Sequence, residues 1–220
     1  MNIFDKDKTI KLLLILNFTL LVLYLLTNHI FTVPSYTVIH WFDFDDEYNI
    51  PAWFSSAQLF VIFILSIIYS KRLHEKYLKK TYILAGYTFL FFSVDETAMI
   101  HEGSKHIFEK MLIYSPFPNG NGIWIFIYFA IALVLAFVFR REVSAFLNEK
   151  IGRTVWIIGV CMFVIGGVAS EIIGFSFDNG SLGKIIEISV EETLELLGQS
   201  LMIYALMSKL DSTNLSDRLL

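Results

Sequence analysis

The sequence predicts an all-α integral membrane bundle of about six transmembrane helices, with the N-terminus and the C-terminus both cytoplasmic. Three observations predict it. Of the 220 residues, 55% are apolar and 17% charged, and the mean hydropathy is +0.61, which is more apolar surface than a water-soluble domain of this length buries. Several apolar runs reach the roughly 17 to 25 residues that cross about 30 Å of hydrocarbon at about 1.5 Å per residue. Lysine and arginine also gather in alternate connections, as expected when basic loops resist translocation.

The first helix is expected near 10-31. Lys6, Lys8 and Lys11 precede its apolar stretch Leu12 to Leu26, which lacks a small-x-small cleavage site and therefore reads as a retained span rather than a signal peptide. The second helix is expected near 53-70, opened by Pro51 in its first turn and by Trp53 in an interfacial aromatic belt. A basic connection, Lys71 to Lys80, leads to the third helix near 81-101. The fourth, near 122-140, is followed by Arg140, Arg141, Lys150 and Arg153. The fifth, near 154-174, carries Gly166, Ser170 and Gly174, a small-residue stripe for close helix approach. The sixth is expected near 185-208. Both basic connections are placed in the cytoplasm, and the acidic or neutral connections 32-52, 102-121 and 175-184 outside. The whole chain, 1-220, reads as a single transmembrane domain without repeats.

Several function classes drop out. No basic stripe suggests nucleic acid. The lone Cys161 excludes an intramolecular disulfide and a soft thiolate metal site. No Walker motif, nucleophile elbow or dinucleotide fingerprint is present.

The unusual chemistry is acidic. The third helix ends in Ser93-Val94-Asp95-Glu96-Thr97-Ala98-Met99-Ile100-His101-Glu102, with His106 a turn later; the fifth carries Glu171 and the sixth Glu187, Glu191, Glu192 and Glu195. A charge near a span centre costs about 2.5 to 3.5 kcal/mol on insertion scales, so this many acids require partners, protons, water or a cation. Helix rise places Asp95 and Glu191 each about 9 Å below the outer boundary, Glu171 about 5 Å and Glu195 about 15 Å. On a continuous helix Asp95, Glu102 and His106 share one face, and so do Glu187, Glu191 and Glu195. Two such faces opposed across the bundle would be a carboxylate-rich site with imidazole, suited to a divalent metal ion such as Zn, Mn or Fe.

The expected metal ligands are Asp95, Glu102, His106, Glu191 and Glu195. The expected catalytic or proton-transfer groups are Glu96, His101, Glu171 and Glu192. In the first external loop, Asp45, Asp46 and Glu47 would cap the site or simply be solvated; His29 and His40 lie on the same side as interfacial residues. The leading expectation is a metal-dependent membrane hydrolase acting on a lipid or lipid-linked substrate from the outer leaflet. The alternatives are a proton- or cation-coupled transporter, which needs polar residues continuing inward where the sequence offers chiefly Asn17, Ser66 and Ser208, and a structural membrane partner protein whose acids form a satisfied network.

The strings Asp45-x-Glu47-x-Asn49-x-Pro51-x-Trp53-Phe54-Ser55 and Ser93-x-Asp95-Glu96 to His101-Glu102, in a six-helix layout, resemble a family of uncharacterised bacterial multipass membrane proteins. The resemblance implies a bacterial plasma-membrane location. Asp95-Glu96-x-x-Met99-Ile100 is also similar to a segment of the alkaline ceramidase-like membrane hydrolases, where a neighbouring aspartate helps build a zinc site. This chain departs from that pattern, with Glu191-x-x-x-Glu195 in place of paired late histidines. Glu191-Glu192 is similar to the two glutamates of intramembrane prenyl proteases, but Leu196 stands at the arginine position.

Overall fold

A computed structural model describes residues 5–30, 36–110, 117 and 122–219, without the side chains at 102, 105, 106, 108, 109 and 214–219; no strand occurs among the described residues. Helix α1 (Lys6–Tyr24) starts at Asp5, whose carboxylate accepts the Asp7 and Lys8 N–H groups, and runs into a widened, π-type turn, Leu25–Ile30. A short α2 (Tyr36–Trp41) leads to the acidic loop. There Asn49 caps α3 (Ile50–Arg72) by accepting the Ala52 N–H at 3.1 Å while its amide donates to the Asp43 and Asp46 carbonyls at 2.6 and 2.7 Å. The acidic loop is thereby pinned to the head of α3.

The basic turn then gives α4 (Lys76–Ala98), capped by Glu75. The expected third helix does not run straight through to residue 101. Met99 adopts a left-handed conformation (φ 52°), ends α4 and redirects the chain into α5 (Ile100–Lys110). The expectation that Asp95, Glu102 and His106 share one continuous helical face fails at this break. The Glu102 and His106 side chains lie outside the described residues.

After the apolar α6 (Ile123–Val138) the chain bends by 80° into α7 (Arg140–Asn148), so the expected basic loop is itself partly helical. The next span is α8 (Arg153–Val164), a second widened turn, Ile165–Ser170, and α9 (Glu171–Gly174). The last helix, α10 (Leu182–Leu219), is 38 residues long, well beyond the expected 185-208. At about 1.5 Å per residue it measures about 57 Å.

Helix α10 is the axis of the bundle. It packs against α1, α3 and α8 and against the second widened turn, while α3 lies along α4. The contact with α8 is made backbone to backbone: a Cβ at Gly159 would stand 2.7 Å from the Gly198 carbonyl oxygen, and one at Gly198 would stand 2.6 Å from that of Gly159. The main core joins α3, α4, α8 and α10 through Leu59, Ile62, Tyr82, Phe89, Trp156, Met202 and Leu206. A second core of Leu20, Tyr24, Phe44, Ile188 and Leu196 closes the space beneath the acidic loop.

Among the described residues three helices are long and apolar enough to cross a membrane, Lys6–Ile30, Ile50–Arg72 and Arg153–Gly174, and α6 with α7 passes as a bent pair. Large apolar side chains such as Phe18, Phe129, Leu133 and Phe137 face outward, an arrangement suited to a hydrocarbon surround. The two ends of the bundle differ in charge. At one end Lys6 approaches Asp211 (3.8 Å), Lys80 pairs with Glu142 (3.0 Å) and Arg72 donates to the Leu210 carbonyl (3.2 Å). Glu47, Glu96, Glu171, Glu191, Glu192 and Glu195 gather at the other.

Candidate functional site

Each sequence-selected acid with a described side chain occupies a distinct place. Asp95, buried at the end of α4, is committed to the chain break. Its Oδ1 accepts the His101 backbone N–H at 2.8 Å and lies 3.3 Å from His101 Nδ1, and its Oδ2 accepts the Tyr128 hydroxyl at 3.0 Å. His101 and Trp124 rings meet edge to face at 5.5 Å, and Trp124 meets Tyr128 in the same way. Asp95 thus holds α5 and α6 to α4. Tyr128 was not singled out in the sequence; its signal was a hydroxyl one turn after Trp124 in an otherwise apolar helix.

Glu96, the next residue, points into the bundle. The Ser55 hydroxyl of α3 lies beside its carboxylate, and Ser55 accepts the Gln199 amide of α10 at 2.8 Å. Glu96 lies within electrostatic reach of Glu192 and Glu195, and both of those reach Glu47 of the acidic loop. Glu195 also faces Glu191 and Glu171. The structure therefore brings together Glu96, Glu171, Glu191, Glu192 and Glu195, and places Asp95 and His101 beside them in a separate hydrogen-bonded unit. We call the assembled space the acidic chamber.

The small residues of the fifth span form the chamber's back wall. A Cβ at Gly166 would meet the Glu195 Cγ at 2.8 Å and one at Gly167 would meet its Oε1 at 2.5 Å, while Gly174 backs onto Glu187. The widened turn Ile165–Ser170 is thus shaped around the Glu195 side chain, and π-type turns recur at functional sites. Glu187 forms an ion pair with Lys184 (2.8 Å), although neither of its oxygens receives a bond of hydrogen-bond geometry, and its carboxyl touches that of Glu191.

Polar groups continue inward from the chamber. Gln199 and Ser200 are fully buried on α10, and the Gln199 Oε1 has no partner among the described residues. Ser200 donates to Gln58 Oε1 at 2.8 Å and accepts the Asn17 amide at 3.0 Å, and the Gln58 amide returns to Asn17 Oδ1 at 3.4 Å. This closed three-helix ring was legible in the sequence only at Asn17. Beyond it the main apolar core intervenes, and past that plug lies a buried ion pair. Lys209 Nζ stands 2.6 Å from Glu149 Oε2 and donates to the Ile151 carbonyl, while Tyr69 and Tyr82 donate to the Glu149 carboxylate at 2.9 and 2.5 Å.

A family model described as a domain of unknown function (DUF8692) matches residues 12–210. The chain belongs to this family. No curated protein matches it, and no solved structure does. The DUF8692 match takes in the acidic chamber, the inward polar ring and the Lys209–Glu149 pair. Among the described residues of this DUF8692 member, no three His, Cys, Asp or Glu side chains are set to hold a metal ion.

Proposed function

We propose that the chain is a multi-pass protein of the bacterial plasma membrane, with six spans and both termini cytoplasmic, that couples binding of protons or another cation in the acidic chamber to transport. The observation that carries this reading is the inward continuation of the chamber. From Glu192 and Glu195 the polar side chains pass through Glu96, Ser55 and Gln199 to the Asn17–Gln58–Ser200 ring, so buried hydrogen-bonding groups reach well into the bundle before the apolar plug closes the path. A hydrolase working at the outer surface has no need of that ring; a transporter does. Carboxylates accept hydrogen bonds and donate none, so Glu191, Glu192 and Glu195 facing one space call for protons or a cation beyond the Lys184 ammonium that pairs with Glu187.

The test is proton release. Purified protein in weakly buffered detergent is titrated with inorganic monovalent and divalent cations while a pH dye records released protons. The reading expects release that falls in Glu192→Gln and in Glu195→Gln. A metal-dependent hydrolase is the second reading, favoured by the number of carboxyls facing one space. It expects near-stoichiometric Zn, Mn or Fe by elemental mass spectrometry, lost in the same variants. Neither release nor metal in wild type would leave the acids as a structural network.

A further inference from the structure

Gln199 is fully buried, yet only half of its amide is satisfied by its neighbours. Its Nε2 donates to Ser55 Oγ at 2.8 Å, while its Oε1 has no partner among the described residues. Buried amide oxygens are almost always paired, so this one points to a group that the surrounding side chains do not supply.

The helix fixes where that group sits. Glu192, Glu195 and Gln199 lie along one stripe of α10, with Glu192 about 20° and Glu195 about 40° from Gln199 around the axis. Helical side chains lean toward the N-terminus of their own helix, so the Gln199 amide reaches toward Glu195 and into the chamber. Ser55 of α3 and Glu96 of α4 stand opposite this stripe, and Glu96 is within electrostatic reach of both Glu192 and Glu195. The other charged groups bearing on Glu192 and Glu195 are carboxyls too, those of Asp45, Glu47, Glu171 and Glu191. Lys184 is paired at Glu187, and His101 is held at Asp95. Gln199 thus forms the floor of a space walled by oxygen.

Two occupants satisfy the orphan oxygen: the proton of a neutral Glu195, or a cation that the carboxylates share with it. The ligands select the cation. Among the described residues no three acids converge as a metal site, so a divalent ion lacks the anionic set it needs. Two carboxylates with two uncharged oxygens, Gln199 Oε1 and the remaining lone pair of Ser55 Oγ, suit a monovalent ion. The back wall selects its size. Even a Cβ at Gly166 or Gly167 would stand 2.8 Å from Glu195 Cγ or 2.5 Å from its Oε1, so the carboxyl cannot retreat to admit a large ion.

We infer that the floor of the chamber is a sodium-ion site, formed by the Glu96 and Glu195 carboxylates, Gln199 Oε1 and Ser55 Oγ, at which sodium exchanges with a proton. The inference rests on the proposed function, whose cation it names. In the exchange one sodium ion enters as the Glu195 carboxyl releases its proton to water, the ion replaces that proton on Gln199 Oε1, and the charge of the site is unchanged.

The experiment is thermal unfolding of the purified protein in detergent with sodium, lithium, potassium, calcium or choline chloride at equal ionic strength, run beside the proton-release titration. At about ten times its dissociation constant, sodium should raise the midpoint by about 3–6 °C over choline. Lithium should do likewise, and potassium and calcium should not. One proton should leave per sodium bound, and the sodium effect should shrink in acid, where protons compete for the site. Glu96→Gln and Gln199→Met, which keep side-chain length, should each abolish the rise; the wild-type ion series requires neither variant to fold. Protection and release by potassium or calcium with sodium inert overturns the sodium site and leaves the chamber reading standing. Sodium protection that survives both variants overturns this ligand set. Release driven by no cation takes the chamber reading as well.

Discussion

Lys209 is fully buried, and removing its ammonium is the sharpest perturbation this fold offers. In Lys209→Met the Glu149 carboxylate stays buried and loses the cation 2.6 Å away, but it keeps the Tyr69 and Tyr82 hydroxyls. Breaking a buried pair by deleting one partner costs about 3–5 kcal/mol, and the surviving donors place this case near the lower figure. For a chain of this size, a loss of about 3 kcal/mol lowers the melting midpoint by about 6–12 °C. Trp156 meets Tyr82 edge to face at 6.1 Å, so intrinsic fluorescence during a thermal ramp in detergent reads the site directly. Adding Glu149→Gln removes the orphaned charge while leaving an amide oxygen for the tyrosines, and should restore most of the loss. A single variant that costs under about 1 kcal/mol, or a double variant as unstable as the two singles summed, would refute the assignment of this pair as a buried, mutually dependent lock.

Gly198→Ala should destabilise by about 1–3 kcal/mol through backbone overpacking. The reason is that its Cβ would lie 2.6 Å from the Gly159 carbonyl and 2.7 Å from the Phe163 nitrogen, and a lowered unfolding midpoint checks it. Ser200→Ala should cost about 1–3 kcal/mol by stranding the Asn17 amide and the Gln58 oxygen, and replacing all three ring members by apolar residues should recover part of it. Asp95→Ala frees the His101 N–H and the Tyr128 hydroxyl, so hydrogen exchange at the His101 amide should accelerate. The Asp43 carboxyl is pushed above its ordinary 3.8 by burial and by Asp46, against the Asp45 N–H, His29 and His40. A raised native value means its contribution is present below 3.8 and is lost as pH rises through the native value. Asp43→Asn should therefore raise the midpoint at neutral pH and have no such effect in acid, which thermal ramps at the two pH values check.

The helical architecture was legible because apolar run length and basic connections are properties of the chain itself. The acids were legible for the same reason: charge inside an apolar run is conspicuous. Which acids meet was not. Helical spacing put Asp95 with Glu102 and His106, but the left-handed Met99 breaks that helix, and Asp95 reaching the His101 N–H stabilises the break. Adjacent residues then took opposite duties, Asp95 in the cap and Glu96 in the chamber, a division set by an angle of about 100° between neighbours on a helix. Gln58, Gln199 and Ser200 escaped notice because single uncharged polar residues in apolar runs look like tolerated exceptions until two of them, Gln58 and Ser200, close a ring with Asn17. The Glu149–Lys209 pair joins a loop residue to a helix end that seemed to lie outside the span, so neither looked buried.

The widened turn at Ile165–Ser170 also fixes where this helix can change length. On a regular α-helix Gly159 and Gly166 differ by about 20° in direction, but Gly166 and Gly174, eight positions apart, would differ by about 80°. The extra residue absorbed by the turn brings that second pair back to about 20°, which is how both face α10. Loss of one residue between 167 and 170 would leave an ordinary helix with its two halves still in phase. Loss of one between 160 and 164 would swing Gly159 off the seam it shares with Gly198. Descendants of this sequence are thus free to shorten at the turn and nowhere nearby, and a shortened relative would have no hollow beside position 167 for a carboxyl like that of Glu195.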